Sequence, residues 1–335
     1  MFVLDSHCDT PSQIHRLCNL AIDNDHSQVD FPKLARGGVD AAFFALYTPA
    51  GMSSDAATGY AFRLLAEVNE AVCASNGAAS VVHSPAEALS CRKAGRFAVC
   101  IGMENGSPVQ DSLPLLRQFY RCGVRYMTLC HSRDNMICDS CAQGNTWHGL
   151  SPFGLEVVRE MNRLGMMIDV SHISDESFYD VIRYSVQPVV ATHSCCRALA
   201  RHPRNMTDDM LRALAAGGGV IQINFYPVFL DDGFAEILRT SGIMERGDLV
   251  EEEFISDPSD PRKRQAWYMV LDELAALKRP SFKRIADHID HAVNVAGIDH
   301  VGLGSDFDGI AVTPAGMEDI SHFSLVLDEL RNRGY

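Results

Sequence analysis

Phe2-Val3-Leu4-Asp5-Ser6-His7-Cys8-Asp9 begins on three apolar residues and passes directly into alternating polar ones. Successive side chains of a β-strand point to opposite faces, so Asp5, His7 and Asp9 share one face. Such a strand is buried where it starts and functional where it ends, and its polar face can hold a metal ion. A His-x-Asp pair alone is as readily a hydrogen-bonded surface pair. Its weight comes from recurrence of the pattern along the chain.

Seven further short apolar runs follow, and with the first they predict strands over 2–5, 39–47, 97–103, 124–130, 166–170, 188–192, 219–225 and 300–304. Amphipathic stretches at helical period lie between most of them, over 57–76, 113–122, 152–164, 175–184 and 207–216. Helix ends are marked by Arg163-Leu164-Gly165 and Ala216-Gly217, where a left-handed cap is expected. Strands alternating with helices make an α/β architecture with a parallel sheet, and eight of them suggest a closed (β/α)8 TIM barrel, here as one domain over 1–335. An open doubly wound sheet, the rival, has no reason to stop at eight.

Barrel enzymes place their chemistry at the carboxyl ends of the strands, and the polar residues obey that rule. His7 and Asp9 end the first strand, Glu104 the third, His131 the fourth, His172 the fifth, His193 the sixth and Asp306 the eighth. A lone histidine or acid at any of these places is ordinarily a satisfied polar residue or a helix cap. Six strand ends carrying metal-capable groups toward one mouth are a constellation.

Three imidazoles and two carboxylates, His7, Asp9, Glu104, His172 and His193, form the nitrogen and oxygen set that suits Zn²⁺. One catalytic zinc takes three protein ligands plus water, so five groups fit two ions about 3.5 to 4 Å apart that share a carboxylate. Glu104 is the expected bridge, because its strand lies between the His7/Asp9 strand and the His172/His193 strands. Such ions acidify bound water to near pH 7 and polarise a carbonyl.

Composition sets limits. The 335 residues are 47% hydrophobic with a formal net charge of −14, which disfavours nucleic acid and anionic membranes as partners. No segment approaches the roughly 20 apolar residues of a membrane span, and no leader pattern precedes the first strand, so a cytoplasmic setting is expected. Eleven cysteines without framework spacing fit reduced thiols. Cys138-x-x-Cys141 lacks a second pair to complete a zinc cage, and Cys195-Cys196 reads as small apolar filling.

The chain resembles, from Asp5 to about Tyr335, a bacterial-type member of the membrane (renal) dipeptidase family of the amidohydrolase superfamily. The resemblance rests on Asp5-x-His7-x-Asp9, Gly102-Met103-Glu104-Asn105, Thr128-Leu129-Cys130-His131-Ser132, Gly149-Leu150-Ser151-Pro152-Phe153-Gly154, Ile168-Asp169-Val170-Ser171-His172, His193-Ser194, Arg201-His202-Pro203-Arg204-Asn205 and Gly304-Ser305-Asp306-Phe307-Asp308-Gly309. It implies that His7 and Asp9 hold one zinc, His172 and His193 the other, with Glu104 between. It further implies that Asp306 handles protons, that His131 contacts the scissile carbonyl and that Arg204 binds the substrate's C-terminal carboxylate. The implied reaction is hydrolysis of free dipeptides, L,L and also L,D, by a metal-bridging hydroxide. A homodimer is implied as well. For Arg204 the plainer alternative is a helix-entry salt bridge before Thr207. The family continues past the helix over 325–333 with another helix, so the chain is expected to be cut short there.

The stretch 231–265, acidic at Glu251-Glu252-Glu253 and basic at Arg262-Lys263-Arg264, has little apolar periodicity and reads as an insertion over the barrel mouth. A solvated loop is the first expectation, a substrate lid or dimer contact the second. Tyr226, after Ile223-Asn224-Phe225, points toward the mouth and is either a substrate contact or core. Two other functions remain open: another metal hydrolase of the superfamily acting on β-lactams, lactones or amines, and a non-catalytic metal-binding scaffold.

Overall fold

A computed structural model of the chain describes residues 1–142 and 145–335. Its sheet consists of β1 (Leu4–Cys8), β2 (Ala41–Tyr47), β3 (Ala79–Val81), β4 (Phe97–Glu104), β5 (Val124–Thr128), β6 (Met167–Asp169), β7 (Val190–Ser194), β8 (Val220–Ile223) and β9 (Val301–Leu303). Neighbours run in the order β1-β2-β4-β5-β6-β7-β8-β9, every pairing is parallel, and β3 pairs with β4 off this path. The ring closes just beyond β9, where the Asp9 amide donates to the Phe307 carbonyl at 2.8 Å and the Asp306 amide to that of His7 at 3.0 Å. This is the predicted (β/α)8 barrel.

All eight predicted strands form, with ends shifted by a few residues. The ninth, β3, was missed. It is three residues long and takes the lower part of one β4 edge, Phe97 to Val99, while β5 takes the upper part from Ile101. β4 is buried on both faces, as a strand between barrel interior and covering helices must be. Each predicted helix also forms, and Pro152–Leu164 is capped by the Ser151 side chain and by left-handed Gly165 at φ 74°. After Asp208–Ala216 the left-handed residue is Gly218 at φ 74°, one position later than expected, because Gly217 stays at φ −84°.

Between strands and helices lies one apolar layer that includes Phe44, Leu64, Phe119, Val157, Phe178, Leu211 and Ile289. Each such side chain stabilises the fold by about 1.5–3 kcal/mol when fully buried.

The expected solvated loop at 231–265 is instead helical. Asp232–Ser241, Ile243–Ser256 and Pro261–Ala275 form three helices that gather Phe234, Leu238, Ile243, Phe254, Trp267, Val270 and Leu274 into a separate apolar cluster. Arg264 and the acidic run disguise the period, since the buried residues lie far apart in sequence and the charges occupy the outer face. The cluster rests on the carboxyl-end loops: Tyr226, Val228 and Val312 pack against it, Arg16 pairs with Glu251 at 2.7 Å, and His26 stacks on Tyr268 at 3.6 Å.

Candidate metal centre at the barrel mouth

Alternation along β1 carries His7 to the mouth and leaves Asp5 one layer below, where it is buried and accepts hydrogen bonds from the Ser305 amide at 2.8 Å and hydroxyl at 2.5 Å. Asp5 therefore clamps the segment after β9 rather than joining the donors, and burial pushes its carboxyl up to about 6. Ser305 leads into Asp306, whose φ of 65°, like the 71° of His172, lies in the left-handed region that non-glycine residues seldom adopt. Both turns lift a side chain off the sheet direction and into the mouth.

Glu104, at the end of β4, is the centre of the cluster. Its Oε2 lies 3.5 Å from His7 Nε2. Its Oε1 lies 3.0 Å from His172 Nε2, 3.4 Å from His193 Nε2 and 3.8 Å from His131 Nε2. On the other side His7 Nε2 stands 3.4 Å from Asp9 Oδ2 and 3.9 Å from Asp306 Oδ1. The Nε2 atoms of His172 and His193 are 2.9 Å apart. Two glycines make room: a Cβ on Gly102 would meet the Tyr126 ring at 2.1 Å, and one on Gly309 would meet Asp9 Oδ2 at 2.1 Å.

The donor set fits cations. Three groups can each enclose an ion: His7, Glu104 and His193; Glu104, His131 and His172; and His7, Asp9 and Asp306. No cysteine enters any of them among the described residues. His7 Nε2 and Asp9 Oδ1 are buried without any hydrogen-bond partner, which a buried polar atom tolerates only if something else satisfies it.

Electrostatics divide the donors. Burial would push the His7 imidazole down, but the adjoining Glu104 and Asp9 carboxylates hold it well above its ordinary value. Burial would raise Glu104, yet the His7 charge and the adjoining His172 and His193 rings keep it well below the carboxylate range. Burial, joined by the charge of Glu104, lifts Asp9 well up. Burial drives His172 and His193 well down, reinforced by the Arg204 guanidinium, so both present neutral rings.

Arg204 is 5% exposed and pairs with no carboxylate among the described residues, so the helix-entry salt bridge is absent. It donates from Nη1 to Ser194 Oγ at 2.6 Å and from Nη2 to the His193 carbonyl at 2.7 Å, and its buried Nε–H has no partner. His131 packs edge-on to Tyr47 and lies over His172 with ring centroids 4.2 Å apart. Asp306 accepts from Asn224 Nδ2 at 2.8 Å through Oδ2, and burial raises its carboxyl to about 6. Tyr226 sits with its ring against Phe229, half-buried between the barrel and the insertion.

Every predicted donor thus reaches one mouth. Sequence reasoning missed the residues behind them: Tyr126, whose hydroxyl lies 2.8 Å from His7 Nδ1, Thr192 at 2.8 Å from His193 Nδ1, and Asn224 beside Asp306. The signal was present as polar side chains in otherwise apolar strands.

A model of the membrane dipeptidase family, peptidase family M19, matches residues 1–335. The chain is 32% identical over 342 residues to an uncharacterized dipeptidase, C965.12, of Schizosaccharomyces pombe, covering 96% of this chain and 72% of that one. It is 35% identical over 243 residues to dipeptidase verJ of Clonostachys rogersoniana, covering 72% of this chain and about half, 51%, of that protein. The fold is similar, at a TM-score of 0.80 and 25% identity over 100% of this chain and 93% of the other, to a crystal structure of a metallo peptidase from Rhodobacter sphaeroides liganded with a phosphinate mimic of the dipeptide L-Ala-D-Ala.

Proposed function

The chain belongs to the membrane dipeptidase family, whose members are metallopeptidase-type hydrolases, and on that premise we propose that it cleaves free dipeptides with two Zn²⁺ ions at the barrel mouth. One observation carries this: the two oxygens of Glu104 face different donor groups, Oε2 toward His7 and Oε1 toward His172 and His193. His7 and Asp9 would hold one ion, His172 and His193 the other, and Glu104 both. When bound, such ions supply Lewis acidity and water acidified toward neutral pH.

The protein's own groups do the rest. Arg204 offers its unpartnered Nε–H, with the guanidinium plane fixed by Ser194 and the His193 carbonyl, to the substrate's free carboxylate. That anchor near the donor cluster limits substrate length to two residues. His131, a neutral ring held down by burial, donates from Nε2 to the carbonyl oxygen as negative charge develops there. Asp306, with Oδ2 held by Asn224 and Oδ1 turned to the cluster, takes a proton from the attacking water and passes it to the leaving amine. Tyr226 borders the substrate on the insertion side. The mimic bound by the Rhodobacter sphaeroides protein supports acceptance of a D-residue at the C-terminal position. Eleven free thiols and the family resemblance support a cytoplasmic homodimer.

A panel of L,L and L,D dipeptides, with cyclic amides and lactones alongside, tests this on zinc-loaded protein. Turnover of dipeptides at about two zinc per chain is expected, and cleavage of the cyclic substrates alone would replace the assignment. Arg204→Ala should raise KM tens-fold, about 2 kcal/mol, with little change in kcat, and unaltered KM would remove Arg204 from substrate binding.

A further inference from the structure

Beneath the donors, Asp169 at the end of β6 is fully buried and takes four hydrogen bonds. The amides of Ser171 and Thr192 donate to Oδ1 at 3.0 and 2.9 Å. The hydroxyls of Thr128 and Thr192 donate to Oδ2 at 2.5 and 2.7 Å. A carboxylate only accepts, so the single hydroxyl proton of Thr192 is committed to Asp169. Thr192 Oγ1 also lies 2.8 Å from His193 Nδ1, and with its proton spent it can only accept there. Nδ1 of His193 must then carry the ring proton, which leaves Nε2 as a bare lone pair aimed at Glu104 Oε1, 3.4 Å away.

We propose that Asp169 is a positioning residue that fixes the tautomer of His193 through Thr192, so that β6 and β7 together set the metal-binding nitrogen. This rests on the two-zinc assignment above. A ligating histidine generally donates its other N–H to an acceptor, and such partners are worth about 10–100-fold in metal affinity. Here the acceptor is a hydroxyl that is itself oriented by a charge.

The decisive variant is Asp169→Asn, which keeps the shape but supplies an amide donor. Thr192 Oγ1 can then accept from the introduced side-chain amide and turn its proton toward His193 Nδ1, favouring the wrong tautomer. Zinc affinity, measured on the full chain by competition with a chromophoric chelator, should fall about 10–100-fold. Thr192→Val should fall similarly, and Thr192→Ser, which keeps the hydroxyl, should stay near wild type. ¹⁵N-histidine spectra of the zinc-free protein should show His193 protonated at Nδ1. A His193 proton at Nε2, or Asp169→Asn and Thr192→Val both at wild-type affinity, would overturn the proposal. Should Asp169→Asn fail to fold, the spectrum of the wild-type protein and the contrast between Thr192→Val and Thr192→Ser still decide. Wild-type chain that binds no stoichiometric zinc would instead overturn the two-zinc assignment itself.

Discussion

The barrel and the helices over 232–275 solve opposite problems. The barrel interior is polar, with Asp5, Tyr126, Thr128 and Asp169 buried inside the ring and each satisfied by a named partner. The inserted helices hold an apolar cluster around Trp267 and Leu274 and meet the barrel loops through Tyr226, Val228 and Val312, the Arg16–Glu251 pair and the His26–Tyr268 stack. All the metal-capable groups belong to the first region and none to the second, among the described residues. Donor geometry and the cover over it are therefore separable properties of one chain.

The strongest way to break this contrast is Glu104→Gln. Losing the shared carboxylate should lower kcat by at least about a thousandfold, some 4 kcal/mol, and remove zinc measured by elemental analysis, while the inserted helices stay folded. Retention of two ions would show that the cluster does not depend on its centre. Trp267→Ala probes the other region. Emptying a site 7% exposed should cost about 3–5 kcal/mol, seen as faster hydrogen exchange confined to 232–275, with zinc affinity unchanged within about twofold. Altered zinc affinity would join the two regions energetically.

His288, on the helix Lys283–Ala296 of the barrel region, is buried with its Nδ1 accepting from the Cys196 amide at 3.1 Å and its Nε2 donating to the Leu230 carbonyl at 3.1 Å. Burial lowers its pKa from 6.5 to about 4. The unfolded chain therefore takes up the proton first as pH falls. Stability is intact above pH 6.5 and declines toward pH 4 by up to about 3 kcal/mol, at 1.36 kcal/mol per pH unit. Denaturant unfolding of His288→Gln across that window should show a flatter profile, and an unchanged slope would assign the acid sensitivity elsewhere. The smallest effect is expected at Arg16–Glu251, where the side chains are 13% and 32% exposed. Arg16→Ala should cost no more than about 1 kcal/mol and weaken further with salt.

The sequence revealed the barrel because the period of a strand and the rule of functional carboxyl ends act locally: Phe2 to Asp9 already contains both. His172 and Asp306 were legible as strand-end residues, but their left-handed backbone was not, since nothing in Ser171-His172-Ile173 announces it. β3 escaped because three residues carry no period. The inserted helices escaped because their buried residues, such as Phe254 and Trp267, cluster across helices rather than within a short window. Thr192 and Asp169 were readable as polar residues in apolar strands, yet their purpose emerges only when β6 and β7 lie side by side.

The seam that closes the ring has a consequence for how the protein is made. Asp5 meets Ser305 across 300 positions of chain, so synthesis must run 300 residues beyond Asp5 before its neighbours are complete. Until that stretch has been made, a nascent polypeptide carries histidines and acids in plenty but no finished donor cluster.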